Sequence, residues 1–176
     1  MSTNSIYRDL SVFYINLRAN ETLTNTGSSL LLEKHYGLRC TLEKLPGERD
    51  SNFMARENNG DSYVLKISNS CETLEFLQVQ HDALERSAKL LEQGRIPKVF
   101  PDKNGESLLR VSSADGSLHW MRLVRYVDGL PMAEYSPHTA EFLRELGRMC
   151  GTVTKALHEI PAPPSDYLSV NCAPSS

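Results

Sequence analysis

The sequence predicts an α+β fold: a five-stranded, mostly antiparallel sheet with one packed helix and a second helix trailing it. Three observations carry this expectation. Short runs of β-type residues are separated by turn residues, an Asn59-Gly60 pair lies between two of those runs, and two long stretches have helical periodicity.

In chain order, residues 1–27 are rich in Ser, Thr and Asn and read as a loosely ordered N-terminal extension. Ser29 is a candidate cap for a short helix through His35, and Gly37 is its stop. Cys40 to Leu45 alternates as a first strand. Leu45-Pro46-Gly47-Glu48-Arg49-Asp50-Ser51-Asn52-Phe53 is a polar turn leading into a second strand, Phe53 to Glu57. The Asn-Gly turn then leads to a third strand, Ser62 to Ile67. Residues 72–93 place Leu74, Leu77, Leu84, Ala88 and Leu91 at helical spacing, with Gly94 and Pro97 beyond them. Lys98 to Phe100, Ser107 to Val111 and Leu118 to Val127 are further extended runs, making six candidates for the five strands of the sheet. Their turns are Asp102 to Gly105 and Asp115-Gly116. Pro137 to Ile160 is the most regular helix, with Ser136 as candidate cap and an apolar stripe of Phe142, Leu146, Met149, Val153, Ala156, Leu157 and Ile160. The Pro-rich remainder, 163–176, reads as a disordered tail.

Composition narrows the function classes. The 176 residues carry 22 acidic and 19 basic side chains, intermixed and without a Lys/Arg block, so nucleic acid is not an expected partner. The longest apolar run is far below the roughly 20 residues of a membrane span. The short stretch Leu10 to Leu17 is broken by Asn16 and lacks a cleavage-site pattern. Cys40, Cys71, Cys150 and Cys172 have no metal or redox spacing. They are expected to be free thiols in a reducing compartment, which points to the cytoplasm.

Lys66, in Tyr63-Val64-Leu65-Lys66-Ile67-Ser68, has apolar neighbours on both sides, and burying its charge is costly without a partner. A polar loop, a strand lysine and then a helix with a glutamate is the order in which a kinase small lobe holds nucleotide phosphates. Glu72, Glu75, Gln80 and Glu85 are the candidate helix partners. Only an early turn reaches mid-strand, which favours Glu75 over Gln80 and Glu72. The plainer alternative is a lysine snorkelling from an edge strand of an ordinary interaction domain.

Taken with Val79-Gln80 and Leu123-Val124-Arg125-Tyr126-Val127-Asp128-Gly129-Leu130-Pro131, these runs resemble the small lobe of the aminoglycoside phosphotransferase and choline-kinase-like family. Within it, the hydroxylysine kinase branch is the most similar. The resemblance implies a nucleotide-binding lobe at 28–130 with a kinase-like fold, and the first helix of a truncated large lobe at 131–162. It further implies that Lys66 holds phosphates and is oriented by Glu75 or Gln80. Backbone amides of Asp50, Ser51, Asn52 and Phe53 would cover the phosphates. Backbone of Arg122, Leu123, Val124, Arg125 and Tyr126 would bind the base. The reaction it implies is transfer of the γ-phosphoryl of GTP or ATP, with Mg2+, to the hydroxyl of a small amine or amino acid.

The family's His-x-Asp loop, which acts on the acceptor hydroxyl, has no counterpart. None of His35, His81, His119, His138 and His158 has Asp two residues on, and no later Asp-based metal motif is present. The expectation is therefore a chain with no catalytic or metal-ligating residue of its own, inactive alone. The alternative is a non-catalytic lobe that binds nucleotide or protein. An uncovered stripe on the 137–160 helix would then promote self-association.

Overall fold

The computed structural model describes residues 25–47, 49–91, 95–113, 116–158 and 160. Most of the expected extension, all of the expected tail, and Glu48, Gly94, Asp115 and Cys172 lie outside them.

The first described element is helix α1 (Asn25–Leu31), which runs into a π-helical turn, Leu32–Tyr36. Gly37 ends it in the left-handed conformation (φ 73°), donating from its amide to Glu33 O. Lys103 Nζ closes the same end by donating to the carbonyls of Glu33 and Lys34, each at 3.1 Å. These are the groups a helix C-terminus leaves without partners.

Six strands follow: β1 (Cys40–Leu45), β2 (Ser51–Glu57), β3 (Ser62–Ile67), β4 (Val99–Phe100), β5 (Leu109–Ser112) and β6 (Leu118–Arg125). All pairings are antiparallel, in the order β1-β2-β3-β6. The far edge of β6 is shared end to end. β5 pairs with its first half, residues 118–121, and β4 with Leu123 and Val124. The sheet is thus five positions wide and contains six strands. The Asn59-Gly60 turn forms as expected: Asn59 Oδ1 accepts from the Asp61 amide at 2.8 Å, and Gly60 has φ 97°. β2 begins two residues earlier than expected, at Ser51, so the loop from β1 shortens to Pro46–Asp50. A Cβ on Gly47 would lie 2.3 Å from Asp50 O, so this tight loop admits only glycine there.

β3 is an interior strand, flanked by β2 and β6, which removes the reading of Lys66 as an edge lysine. Its side chains alternate in burial. Tyr63, Leu65 and Ile67 join Phe53, Ala55, Leu109, Val111, Met121 and Leu123 in the core, which Leu31, Leu32 and Tyr36 of the N-terminal helix close. The helix packed on the core is therefore the first one.

Helix α2 (Leu74–Leu90) is capped by Thr73, whose hydroxyl accepts from the Phe76 amide. Helix α3 (Ala140–His158) is capped by Thr139, which accepts from the Phe142 amide, three residues beyond the expected Ser136 cap. The two helices pack on each other. The α3 stripe therefore meets α2: Phe142, Leu146, Met149 and Val153 are half-buried and Ala156 is buried, while Leu157 stays 43% exposed.

Cys40 and Cys150 are free. Cys71 is disulfide-bonded, which corrects the expectation of four free thiols. Among the described residues, no helix is long and apolar enough to cross a membrane.

The Leu65 side chain is fully buried at the centre of the core. Leu65→Ala is expected to lower unfolding free energy by about 2–5 kcal/mol in urea denaturation. A loss below about 1 kcal/mol would contradict the core assignment.

Candidate nucleotide site

The face of the sheet opposite the core carries the polar residues. Cα partners across β2, β3 and β6 place Asn52, Lys66 and Arg122 in one row, and Met54, Val64 and Val124 in the next. In antiparallel strands, directly paired residues point to the same face. The hairpin sets the first pair, since Asn52 and Lys66 stand seven residues either side of Asn59.

Opposite this face stand α2 and α3. Gln80, Ala83, Leu84 and Ser87 recur at the i, i+3, i+4, i+7 spacing of one helical face. Together with Val153 and Leu157 of α3, and Ile96 and Pro97 before β4, they enclose a cleft of about 540 Å³ over Val64, Lys66, Arg122 and Val124. Its size and mostly apolar lining fit a small-molecule site.

The Lys66 ammonium donates to Asn52 Oδ1 at 3.0 Å. Burial pushes its pKa below the usual 10.5, and the neighbouring Arg122 guanidinium pushes the same way, while Asp50 opposes both. Arg122 is buried at 7% exposure, and its Nη2 donates to Gln80 Oε1 at 2.5 Å. Burial lowers its pKa too, against the pull of Asp50 and Glu72. A guanidinium nevertheless stays charged. Among the described residues, neither Lys66 nor Arg122 forms an ion pair with a carboxylate. Two adjacent cations are thus held by two neutral amide acceptors.

The other expected site residues fall as follows. Asp50 accepts from the Asn69 amide at 3.2 Å and borders a small void with Lys66 and Arg122. Asn52 and Phe53 have ladder partners on both sides, so their amides belong to the sheet, and Asn52 turns its side chain to the cleft face. Ser51 and Phe53 lie on the core side. Glu75 is exposed and is not brought to Lys66, while Gln80 meets Arg122. Leu123 is in the core, and Val124 faces the cleft. Arg125 donates to Asp61 at 2.6 Å and lies over the Tyr63 ring. The Arg125 amide bonds Lys98 O and the Tyr126 amide bonds Ser62 O, so these two amides belong to the sheet. Sequence reasoning gave Asn52 and Arg122 backbone roles and missed their side chains. The hairpin count could have found Asn52. No local signal shows Arg122, whose register with Lys66 joins residues far apart in the chain. Among the described residues, no group of three or more His, Cys, Asp or Glu could hold a metal ion.

The family model described as the phosphotransferase enzyme family (APH) matches residues 41–172. No curated protein sequence matches the chain. Among solved structures, the chain is similar to the amicoumacin kinase hAmiN in complex with AMP-PNP, Ca2+ and Ami, with a TM-score of 0.61 and 14% identity over 76% of this chain and 40% of that one. It is also similar to the microcompartment-associated aminopropanol kinase, with a TM-score of 0.56 and 17% identity over 77% of this chain and 41% of that one. The chain therefore spans about two fifths of the length of these structures, and it shares their fold.

Because charging Lys66 in the folded state is disfavoured, the unfolded chain holds that proton to higher pH. Stability should rise as pH climbs from the lowered folded value towards 10.5. Lys66→Met removes the desolvated ammonium. It is expected to be at least as stable as the parent at pH 7, with the difference shrinking by pH 10, as read by denaturant titration at both pH values. A marked loss of stability at pH 7 would mean that the Lys66–Asn52 bond is structural.

Proposed function

The chain belongs to the phosphotransferase enzyme family, and from that premise we propose that its cleft binds a nucleoside triphosphate, with the phosphates at Lys66 and the base among the apolar residues. The observation that supports this most directly is the placement of the Lys66 ammonium. It sits half-buried on an interior strand, without a carboxylate partner, at the polar end of a cleft whose remaining walls include Val64, Leu84, Val124, Val153 and Leu157. Apolar walls suit a flat base, and a desolvated cation suits a phosphate.

On this reading the residues act by binding and orientation. Asn52 fixes the ammonium through Oδ1, Val64 and Val124 floor the base, and Asp50 borders the phosphate end. In phosphoryl transfer such positioning is most of what a protein supplies. Mg2+ accompanies the nucleotide in this chemistry, but the described residues offer no ligand set for it, so no step is assigned to the metal. The whole reaction we propose is that of a small-molecule kinase passing the γ-phosphoryl of ATP or GTP to the hydroxyl of a small amine or amino acid. A hydroxylysine-type acceptor is the favoured case. The aminopropanol of one structural relative's name is of the same chemical class. The domain division is proposed with it: an extension at 1–27, a nucleotide lobe at 28–130, the start of a large lobe at 131–162 and a tail at 163–176. With no His-x-Asp pair in the sequence, the isolated chain binds but does not turn over.

A second reading, a lobe that binds nucleotide or protein without catalysis, draws on the exposed Leu130, Met132, Tyr135 and Leu143 around the start of α3. Self-association through that helix would be its mark.

Thermal melts test the proposal. At one hundred times Kd, ATP or GTP should stabilise the chain by about 2.7 kcal/mol, a shift on the order of 5–10 °C, and Lys66→Met should abolish the shift. Phosphate release and transfer should stay at background for the isolated chain. No shift with either nucleotide overturns the binding reading, and turnover lost in Lys66→Met overturns the claim of inactivity.

A further inference from the structure

Arg122 does more than fill space on the cleft face. It is 93% buried (7% exposed), yet its Nη1 has no hydrogen-bond partner. Native structures rarely leave such a donor idle. It stands directly across the ladder from Lys66. Its other terminal nitrogen, Nη2, is held by Gln80, a neutral acceptor on α2. A carboxylate at position 80 would neutralise the guanidinium, whereas an amide fixes its direction and leaves the charge available. Two cations on adjacent strands repel; Asp50 offsets part of that repulsion from outside ion-pair distance, and a further anion between them relieves the rest. The void that Arg122 shares with Asp50, Lys66, Ser68 and Trp120 measures only about 10 Å³, at the lower limit for one water. The 540 Å³ cleft, which Lys66 and Arg122 also line, has the room for an anion that this void lacks, and Nη1, itself shielded from solvent, would turn to meet it.

We propose that Arg122 is a second phosphate anchor, giving Nη1 to an oxygen of the group that Lys66 binds, and that Gln80 positions it from α2. This rests on the nucleotide reading above. It assigns the helix residue a task different from holding the strand lysine: Gln80 orients an arginine, and the lysine is oriented by Asn52 from the neighbouring strand. The ligand class is a di- or triphosphate, free or carried on a nucleoside.

Calorimetric titration of the full chain with adenosine, ADP and inorganic tripolyphosphate tests it, in the parent, Arg122→Gln and Gln80→Glu. Both variants are expected to bind ADP and tripolyphosphate about tenfold or more weakly, as for loss of one charge-assisted bond, with adenosine binding unchanged. Gln80→Glu pairs with Arg122 and keeps the fold should Arg122→Gln not fold. Unchanged or tighter ADP binding by Gln80→Glu overturns the proposal, as does equal weakening of adenosine and ADP, which would make Arg122 a strut. Parent binding of tripolyphosphate alone, lost in the variants, keeps the anchor and overturns an adenine nucleotide as its ligand. Parent binding of no phosphate ligand overturns both.

Discussion

A desolvated lysine on an interior strand organises this chain. Taking an ammonium out of water is costly, and the sheet offers it a single amide oxygen, that of Asn52. Arg122 beside it adds a second cation, again met by an amide, that of Gln80. Amide oxygens satisfy donors without cancelling charge, while Asp50 and Glu72 act on the two cations without forming an ion pair with either. Elsewhere the molecule uses carboxylates freely: Arg39 with Glu33, and Arg125 with Asp61. The absence of such pairing at Lys66 and Arg122, among the described residues, distinguishes the site from the exposed surface.

The architecture follows from keeping that face open. The opposite face is covered by α1 and its π-helical turn, which supply Leu31, Leu32 and Tyr36 to the core. With the core closed from one side, α2 need not lie flat on the sheet. Only Leu77 and Ser87 of α2 are buried, and the helix leans on α3 instead. The cleft is the space left between the sheet and this pair. The Arg122–Gln80 bond ties α2 to the sheet at the polar end, so whatever binds at Lys66 also bears on the position of α2.

Much of this was legible in the sequence, and the gaps have physical causes. Asn59-Gly60 fixes a two-stranded register because a tight turn leaves little freedom, so Asn52 opposite Lys66 was within reach of counting. The apolar neighbours of Lys66 were plain in the sequence, and the strand's alternation puts Leu65 and Ile67 in the core and Lys66 on the other face. Gly37 marks its helix end as expected, whereas the caps at Thr73 and Thr139 go unread and Ser136 stands three residues before the second. What could not be read was long-range. The pairing of β3 with β6 joins residues more than fifty positions apart, and only that pairing turns Arg122 from a hinge residue into Lys66's neighbour. The choice between Glu75 and Gln80 likewise depended on the rotation of α2 about its axis. That rotation leaves Glu75 in solvent and points Gln80 into the cleft.

The most direct measurement is a crystal structure of the chain with a non-hydrolysable nucleoside triphosphate. Phosphate oxygens are expected within hydrogen-bond distance of Lys66 Nζ and Arg122 Nη1. The base is expected between Val64 and Val124 on one side and Leu84 and Leu157 on the other. A nucleotide bound elsewhere, or one in this cleft with its phosphates turned away from Lys66, would contradict this placement.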